Sequence, residues 1–319
     1  MLNKKNILIL EGGYNEEHKV SLSTAKEVKK AIIKLNYNLK SIKVNPKNFH
    51  NKIKGYNVDI CFNALHGSFG EDGTVQQVLY DNKIKFSHSG VNASKIAFNK
   101  YLTKKAIKNT NIQYLNSYLF VNSQLNIKNL ESLFDKIGSF ILKPVSSGSS
   151  YGVKLIKSKD DIKPLFEKIL NKKLLYKKHD NLMIEPYIEG KELTVAVIEE
   201  HNRSKAIEVT EILSENLFFD YQAKYTKGFS KHILPANIPK HIYQKCLLNA
   251  KKVHDILGCR GLSRSDFLYN EKNKKLYFLE INTQPGLTPI SLVPEQLNYN
   301  NIDFITLIDK LLKNSSCQE

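Results

Sequence analysis

Four polar residues near the end of the chain have the types and spacing of a divalent-metal site. Arg264 and Asp266 lie in one apolar run, and Glu280 and Asn282 lie in the next. The polar segment 270–275 between the runs is typical of a turn, so the two runs are predicted to form a β-hairpin. In an antiparallel pair the numbers of opposed residues have a constant sum, so pairing Asp266 with Glu280 also pairs Arg264 with Asn282. Side chains alternate between the faces of a strand, so the two residues of each strand share one face.

This register brings two carboxylates to within roughly 5 Å of each other, which is repulsive unless a cation lies between them. Asp266, Glu280 and the amide of Asn282 offer oxygen ligands without His or Cys, a set that suits Mg²⁺ or Mn²⁺ bound to phosphates. The alternative is a solvated hairpin face with incidental charges. The neighbouring Arg264 and the turn sequence 282–286 favour the metal site.

The net charge of +17 on this chain of 319 residues raises the question of a nucleic-acid partner. The 48 basic residues include only three arginines, which leaves 45 lysines spread over the whole chain. Arginine is the usual reader of bases and phosphates, and no helix-turn-helix or RNA-binding pattern accompanies the charge. We therefore predict no nucleic-acid partner.

The apolar runs and the cysteines bear on location. No run approaches the ~20 apolar residues of a membrane span. The apolar run 7–10 is too short for a signal peptide. The four cysteines have neither CxxC spacing nor a pattern of His partners, which disfavours zinc and a disulfide framework. These patterns predict a cytoplasmic protein with no membrane partner.

The predicted elements favour a mixed α/β fold in three units, 1–97, 98–188 and 189–319. Strands alternate with helices in the first unit, which predicts a parallel sheet with functional loops at the carboxyl ends of its strands. Segment 92–109 is predicted to be one helix that leads into the second unit. Segment 214–235 is long enough to be a functional loop.

Two segments have the character of nucleotide-binding loops. Segment 145–152 is a loop of small residues between predicted strands, and its N–H groups and hydroxyls could close over phosphates. It lacks the Walker A pattern, and a plain hairpin tip is the alternative. Lys100 and Lys143 are suitable counter-charges for phosphate. Segment 185–192 could present its backbone to adenine and a carboxylate to ribose, although its spacing alone indicates only a strand end.

Two loops follow strands of the first unit and should open onto one crevice. The first begins at the glycine pair 12–13 and continues to Glu16 and Glu17, and the second, 64–73, contains His66. His66 could instead be a buried structural residue, and the two glutamates could simply begin a helix.

Together these segments resemble the D-alanine–D-alanine ligases of the ATP-grasp superfamily, in the order found in that family. The motifs are Gly12-Gly13 with Glu17 and Val20-Ser21-Leu22; His66-Gly67 with Gly70-Glu71-Asp72-Gly73; Lys143-Pro144 with Gly148-Ser149-Ser150; Glu192; Lys224-Tyr225; Arg264 with Asp266; Glu280 to Gly286; and Ser291-Leu292-Val293-Pro294.

The resemblance implies an ATP-grasp fold preceded by a Rossmann-like parallel-sheet domain. Residues 1–97 would bind substrate, 98–188 would carry the phosphate loop, and 189–319 would carry the metal site and a lid. The implied reaction joins two molecules of D-alanine through an acylphosphate, for peptidoglycan synthesis. It consumes ATP, requires two Mg²⁺ or Mn²⁺ ions, and takes place in a homodimer.

The resemblance also implies roles for individual residues. The metal ligands would be Asp266, Glu280 and Asn282. The residues that contact ATP would be Lys100, Lys143, Ser150, Glu185, Tyr187, Ile188 and Glu192. The catalytic residues would be Glu17, Ser149, Tyr225, Arg264 and Gly286. The substrate-binding residues would be His66, Lys224, Ser291 and Leu292.

Some of these implied roles are specific. Arg264 and the Gly286 N–H would stabilise the tetrahedral intermediate, and Glu17 would pair with the ammonium group of the first substrate. Ser291 and the Leu292 N–H would bind the carboxylate of the second. Tyr225 is similar to the residue of the dipeptide-forming class, whereas members that use D-lactate tend to have Phe there. A depsipeptide ligase or another ATP-grasp amino-acid ligase is the alternative.

Overall fold

The computed structural model of this chain describes residues 4–121, 123, 125–148, 152–170, 181–200, 203–214 and 230–318. Four predicted site residues lie outside these ranges, namely Ser149, Ser150, Lys224 and Tyr225. In the described part of the chain, no helix combines the length and the apolar character that crossing a bilayer requires.

The first sheet is parallel, as predicted, with strand order β2-β1-β3-β4. Its strands are β1 Asn6–Gly12, β2 Asn38–Val44, β3 Ile60–Asn63 and β4 Lys85–Phe86. The helices around it are α1 His18–Lys34, α2 Phe49–Ile53 and α3 Thr74–Asp81. Strand β1 is a continuous apolar run because both of its faces are covered: Ile7 and Ile9 pack in one core, and Leu8 and Leu10 in another.

The second sheet is antiparallel, with strand order β5-β8-β6-β7. Its strands are β5 Tyr118–Val121, β6 Phe140–Pro144, β7 Lys154–Ile156 and β8 Asn181–Pro186. Two helices, α6 Ile127–Ile137 and α7 Ile162–Leu170, contribute apolar side chains to the same core. The small-residue loop 145–152 connects β6 to β7, as the sequence predicted.

The third sheet is antiparallel, with strand order β11-β10-β9-β12-β13. Its strands are β9 Lys191–Glu200, β10 Arg203–Ser214, β11 Ser230–Ile233, β12 Leu262–Asn270 and β13 Lys275–Asn282. Three helices follow in this part of the chain, α8 Lys240–Ile256, α9 Leu292–Tyr299 and α10 Phe304–Lys313. Apolar residues of α9 and α10 share a core with the first sheet, so the C-terminal end of the chain packs against its beginning.

The predicted register of the hairpin is confirmed, because Arg264 pairs with Asn282 and Asp266 pairs with Glu280. The register shifts immediately afterwards, since Phe267 pairs with Phe278. Leu279 is therefore the extra residue of a β-bulge, a feature that re-aims side chains where it occurs near active sites. Leu279 and Glu280 both line the same cavity.

The prediction of a single helix over 92–109 is wrong, because two helices occupy the segment. Helix α4 covers Val91–Phe98, helix α5 covers Lys100–Ala106, and Asn99 between them has an extended backbone with ψ 101°. The Asn99 side chain accepts the Leu102 N–H and so caps α5. The break has a tertiary cause: Asn99 forms a bridge with Ser146, and the Lys100 N–H donates to the Val145 carbonyl. It also begins α5 at Lys100, beside the small-residue loop.

Helices α2, α6 and α9 were not predicted.

The three sheets agree in number with the three predicted units. Ala97, Ile107 and Ile112 nevertheless pack in the core of the third sheet. The boundaries 1–97, 98–188 and 189–319 therefore stay predictions.

Candidate active site

The paired carboxylates of the hairpin are each held by a cationic side chain. Arg264 binds Asp266 through two hydrogen bonds, Nε to Oδ1 at 2.9 Å and Nη2 to Oδ2 at 2.8 Å. The Thr194 hydroxyl donates to Asp266 Oδ1 at 2.6 Å. Lys100 Nζ lies 3.1 Å from Glu280 Oε2. The side chain of Asp266 is 16% exposed and that of Glu280 is 28% exposed, so both carboxylates remain partly accessible.

Asn282 completes the set of oxygen ligands on this edge of the hairpin. Its Oδ1 accepts the Gln284 N–H at 2.6 Å, which orients the side chain. Two carboxylates and one amide oxygen fit a hard divalent cation such as Mg²⁺. Among the described residues, no group of three or more His, Cys, Asp and Glu side chains has the geometry of a metal site. The candidate metal site therefore consists of the carboxylates of Asp266 and Glu280 together with the amide oxygen of Asn282.

A first cavity lies between the second and third sheets, with the hairpin at one end. Two lysines, Lys100 and Lys143, line it together with Ser147 of the small-residue loop, Glu192 of β9 and the hairpin acid Asp266. Its apolar walls are formed by Leu115, Ile141, Val153, Leu193, Ile212, Phe267, Leu268 and Leu279. Cations at one end and apolar walls along the rest suit a ligand with a polyanionic tail and a flat apolar body.

A buried carboxylate, Glu185 on β8, also lines this cavity and is 1% exposed. Lys143 Nζ lies 2.7 Å from its Oε2, Lys104 contacts its Oε1, and the Ser117 hydroxyl donates to Oε1 at 2.9 Å. Burial opposes ionisation of Glu185, but the two ammonium groups outweigh this effect and lower the pKa to about 2. Glu185 is therefore an ionised hydrogen-bond acceptor within the cavity wall.

A second, more polar cavity adjoins the first and shares Lys100, Ser147 and Glu280 with it. Its further polar side chains are those of Glu17, Glu71, Arg264, Asn282 and Thr283. Gly148 and Gly286 bring backbone to its surface. A Cβ atom on Gly148 would lie 2.7 Å from Glu17 Oε2, so the Glu17 carboxylate lies close against the backbone of the small-residue loop. The hairpin acid Glu280 therefore lies where the two cavities meet.

The N-terminus of helix α9 lies beside Gly286 of the second cavity. Ser291 is its N-cap residue, and its hydroxyl oxygen accepts the Thr288 N–H at 3.1 Å. Ser291 Oγ would lie 3.0 Å from a Cβ atom built on Gly286. Leu292 is the first helical residue, so its N–H belongs to the turn whose donors have no partner within the helix.

Comparison with known proteins agrees with this arrangement. A family model described as D-ala D-ala ligase C-terminus matches residues 107–313. The D-alanine–D-alanine ligase of Wolbachia sp. subsp. Drosophila simulans is 41% identical over 317 residues, which cover 98% of this chain and 95% of the relative. The same enzyme of Zymomonas mobilis is 38% identical over 323 residues, 100% of this chain and 96% of the relative.

This chain belongs to the D-alanine–D-alanine ligase family. The resemblance stated from the sequence motifs is thereby confirmed. The crystal structure of the ligase from Bacillus anthracis complexed with ATP has a TM-score of 0.79 and 26% identity, with 97% of each chain covered. The ATP-grasp fold predicted from the sequence is confirmed with it.

Most of the predicted residues that lie in the described part of this ligase family member reach one of the two cavities. Those lining the first are Lys100, Lys143, Glu185, Tyr187, Ile188, Glu192, Asp266 and Glu280. Those lining the second are Glu17, Lys100, Arg264, Glu280, Asn282 and Gly286. The Tyr187 N–H already donates to the Ser139 carbonyl at 2.8 Å, so from this residue the carbonyl or the side chain would face a ligand.

His66, predicted to bind substrate, lies behind the second cavity. It is 2% exposed, and both ring nitrogens have partners: Nδ1 lies 3.0 Å from Glu71 Oε1, and Nε2 lies 3.0 Å from Thr24 Oγ1. Glu71 itself lines the cavity. His66 therefore orients Glu71, and direct contact between His66 and a substrate stays a prediction.

Three polar residues around the site were missed by sequence reasoning: Lys104, Ser117 and Thr194. Lys104 lies four residues after Lys100, so both lysines project from the same face of α5. This spacing was a usable signal, but it is not distinctive in a chain with 45 lysines. Ser117 and Thr194 carried no signal, because only the packing of segments far apart in the sequence brings them to Glu185 and Asp266.

Proposed function

We propose that this chain joins two molecules of D-alanine to D-alanyl-D-alanine at the expense of ATP, for peptidoglycan synthesis. Membership of the D-alanine–D-alanine ligase family gives the reaction class. The observation that carries the proposal is the junction of the two cavities at Lys100, Ser147 and Glu280. A nucleotide in the first cavity would present its terminal phosphate to an amino acid in the second.

The reaction has two steps. The carboxylate of the first D-alanine attacks the γ-phosphorus of ATP, so that an acylphosphate forms and ADP leaves. The amine of the second D-alanine then attacks the acyl carbon, loses a proton, and displaces inorganic phosphate. Transfer between adjacent cavities keeps the acylphosphate away from bulk water, which would otherwise hydrolyse it.

The residues around the junction supply the charge that these steps need. Lys100 and Lys143 would bind the phosphates of ATP, and the Ser146–Gly152 loop would close over them, with Ser149 and Ser150 as its hydroxyl donors. Glu192 would bind the ribose. Asp266, Glu280 and Asn282 would hold two Mg²⁺ or Mn²⁺ ions. Those ions, when bound, offset negative charge on the transferring phosphoryl group.

Both substrates would lie in the second cavity. Glu17 lines this cavity and would offer its carboxylate to the ammonium group of the first D-alanine. Arg264 and Gly286 line the same cavity, and the Arg264 guanidinium with the Gly286 N–H would stabilise the oxyanion of the tetrahedral intermediate. Ser291 and the Leu292 N–H would bind the carboxylate of the second D-alanine, where the helix dipole of α9 adds attraction for an anion.

Phosphate release from ATP tests the reaction. With Mg²⁺ present, D-alanine alone should support turnover, and D-alanyl-D-alanine should accumulate in step with phosphate. The same assay with D-lactate added, or with L-amino acids in place of D-alanine, separates a dipeptide ligase from a depsipeptide ligase and from other amino-acid ligases. No turnover with D-alanine, ATP and Mg²⁺ would refute the proposal.

Lys224 and Tyr225 would close the site, with Tyr225 favouring an amine over a hydroxyl as the second nucleophile. The Tyr225→Phe variant should then use D-lactate better relative to D-alanine. An unchanged preference between the two would remove Tyr225 from this role.

Two further properties belong to the same proposal. We propose a homodimer, which rests on the family resemblance and is tested by the molar mass from light scattering. We also propose a cytoplasmic location. It is supported by Cys61, Cys246 and Cys259, which are buried free thiols. A mass spectrum of the protein purified without reductant should show four unmodified cysteines.

A further inference from the structure

Lys104 is a buried lysine whose contacts are all inside the protein. Its side chain is 4% exposed and lines neither cavity. The ammonium group donates to the Leu115 carbonyl at 2.9 Å, to Ser117 Oγ at 3.0 Å and to Glu185 Oε1. An ammonium group has three protons, and these three acceptors use all of them. Lys104 therefore acts on its neighbours and not on a ligand.

The main neighbour of Lys104 is Glu185, which does face a ligand cavity. Glu185 Oε1 accepts from both Lys104 and Ser117, so its two lone pairs are used. Oε2 lies 2.7 Å from Lys143 Nζ, and this oxygen has the capacity to accept one more hydrogen bond. The carboxylate is thus fixed on one side and open to a single donor on the other.

The charge state of Glu185 depends on the same contacts. Burial penalises an ionised carboxylate by several kcal/mol unless charged partners compensate. Lys143 and Lys104 provide that compensation and keep the pKa of Glu185 at about 2 despite burial. Burial lowers the pKa of Lys104 to about 8, against the attraction of Glu185, so both groups are charged at pH 7. An ionised carboxylate accepts hydrogen bonds and cannot donate one.

We propose that Lys104 is a positioning residue that keeps Glu185 charged and aimed into the first cavity. As a consequence, the cavity selects a nucleobase with an exocyclic amino group over a nucleobase with a carbonyl in that position. The proposal rests on the proposed binding of ATP in this cavity. The amino group of adenine donates to Oε2. A carbonyl oxygen in the same place meets a fixed negative charge and leaves the carboxylate without a donor.

ITP is the probe, because it carries a carbonyl where adenine carries the amino group. It also carries a hydrogen on N1, a difference from ATP that is the same for every protein variant compared. We expect the wild-type protein to favour ATP over ITP by at least about 100-fold in kcat/KM, since a site built to accept a hydrogen bond rejects analogues that lack the donor. In Lys104→Met, this ratio should fall at least tenfold, mainly through a higher KM for ATP. Lys105→Met is the control, because Lys105 is exposed on the same helix, and its ratio should match the wild type.

A purely structural role for Lys104 predicts a different result. Loss of folded protein lowers activity with ATP and ITP equally and leaves the ratio unchanged, and that outcome would overturn the proposal. Ser117→Ala removes one neutral donor to the same oxygen and is the milder variant if Lys104→Met does not fold. Its ratio should fall about threefold, in line with one lost hydrogen bond, and a ratio equal to that of the wild type would also count against the proposal.

Direct binding separates this proposal from the proposed function. Equilibrium titration of the protein with ATP and with ITP, in the absence of D-alanine, measures the same selectivity as a ratio of binding affinities. This measurement needs no ligase turnover. If wild-type protein prefers ATP in this titration and Lys104→Met does not, the role of Lys104 stands whatever the phosphate-release assay gives. Equal binding of the two nucleotides to wild-type protein would refute it.

Discussion

The hairpin carboxylates Asp266 and Glu280 and the buried carboxylate Glu185 all pair with cationic side chains, but the two regions differ in exposure. The hairpin acids retain 16% and 28% of their side-chain surface, Asp266 in its ion pair with Arg264 and Glu280 in its ion pair with Lys100. Glu185 retains 2%, and two lysines and a hydroxyl surround it. An acid that stays partly exposed can exchange its partner for a ligand. An acid that is enclosed by hydrogen-bond donors keeps its partners, and they hold its carboxylate in one orientation.

The energetic consequence of this difference is large. Partly exposed ion pairs contribute about 0–1 kcal/mol to stability, because solvent screens them and water can replace either partner. Removing one partner of a buried pair costs about 3–5 kcal/mol, since a charge is left without compensation. Substitutions in the two regions should therefore separate activity from stability.

The largest expected effect is on catalysis at the hairpin. Asp266→Ala and Glu280→Ala should each lower kcat by about 10³-fold or more, because loss of a metal ligand forfeits several kcal/mol of charge stabilisation. Phosphate release at saturating ATP and D-alanine measures the loss. Glu271→Ala removes an exposed acid from the turn of the same hairpin and should leave turnover unchanged. Near-normal turnover in either cavity variant would mean that the metal ligands are wrongly assigned.

The next effect is on stability at the buried carboxylate. Glu185→Ala should lower the free energy of unfolding by about 3–5 kcal/mol, because it leaves Lys104 and Lys143 without their shared counter-charge. Glu280→Ala should change the same quantity by less than about 1 kcal/mol. Urea denaturation of the two variants and the wild type gives both values. Equal losses at the two positions would contradict the distinction drawn between the two regions.

The third effect concerns the pH dependence of stability. The pKa of Glu185 is depressed in the folded state, so its contribution is complete above the ordinary value of 4.5 and is lost as pH falls toward about 2. The loss over this window is about 3 kcal/mol. The Lys104→Met/Glu185→Gln double variant has no such carboxyl, and its stability should fall by less between pH 5 and 3.

Two buried histidines also make stability depend on pH, and they do so equally in the wild type and in the double variant. Burial lowers the pKa of His88 to about 3 and that of His254 to about 4. The unfolded chain takes up these protons first, so stability falls as pH drops below about 6.5 in wild type and variant alike. Only the difference between the two proteins reports on Glu185, and parallel urea titrations that show no difference would exclude the depressed pKa.

The smallest effect is at Thr194, whose hydroxyl donates to Asp266. Thr194→Val keeps the shape and removes one neutral donor worth about 1 kcal/mol, so Mn²⁺ affinity should change by about fivefold. Titration of Mn²⁺ by electron paramagnetic resonance measures this without turnover. Thr210→Val is the control, because Thr210 is equally buried in the adjacent strand and contacts Gln296 instead. Equal Mn²⁺ affinity in Thr194→Val and wild type would show that the hydroxyl does not orient the ligand.

Local pattern was enough to predict part of the site. A polar turn between two apolar runs determined the pairing of Asp266 with Glu280, because strand periodicity allows few registers that bury the apolar faces. The bulge at Leu279 was not predictable, since a single extra residue leaves no trace in the alternation of a short strand. The break at Asn99 was hidden for another reason: its cause is the contact of Lys100 with Val145, which lies 45 residues further along the chain.

The sequence by itself determined the family, the mixed α/β fold and the pairing of the two hairpin carboxylates, because these depend on residue types in order and on short-range periodicity. Only the tertiary structure decided which two of the 45 lysines are buried against Glu185 and which acids remain accessible. Lys104, Ser117 and Glu185 come from three separate segments. Burial and charge pairing arise when such segments pack together, so no local pattern contains them.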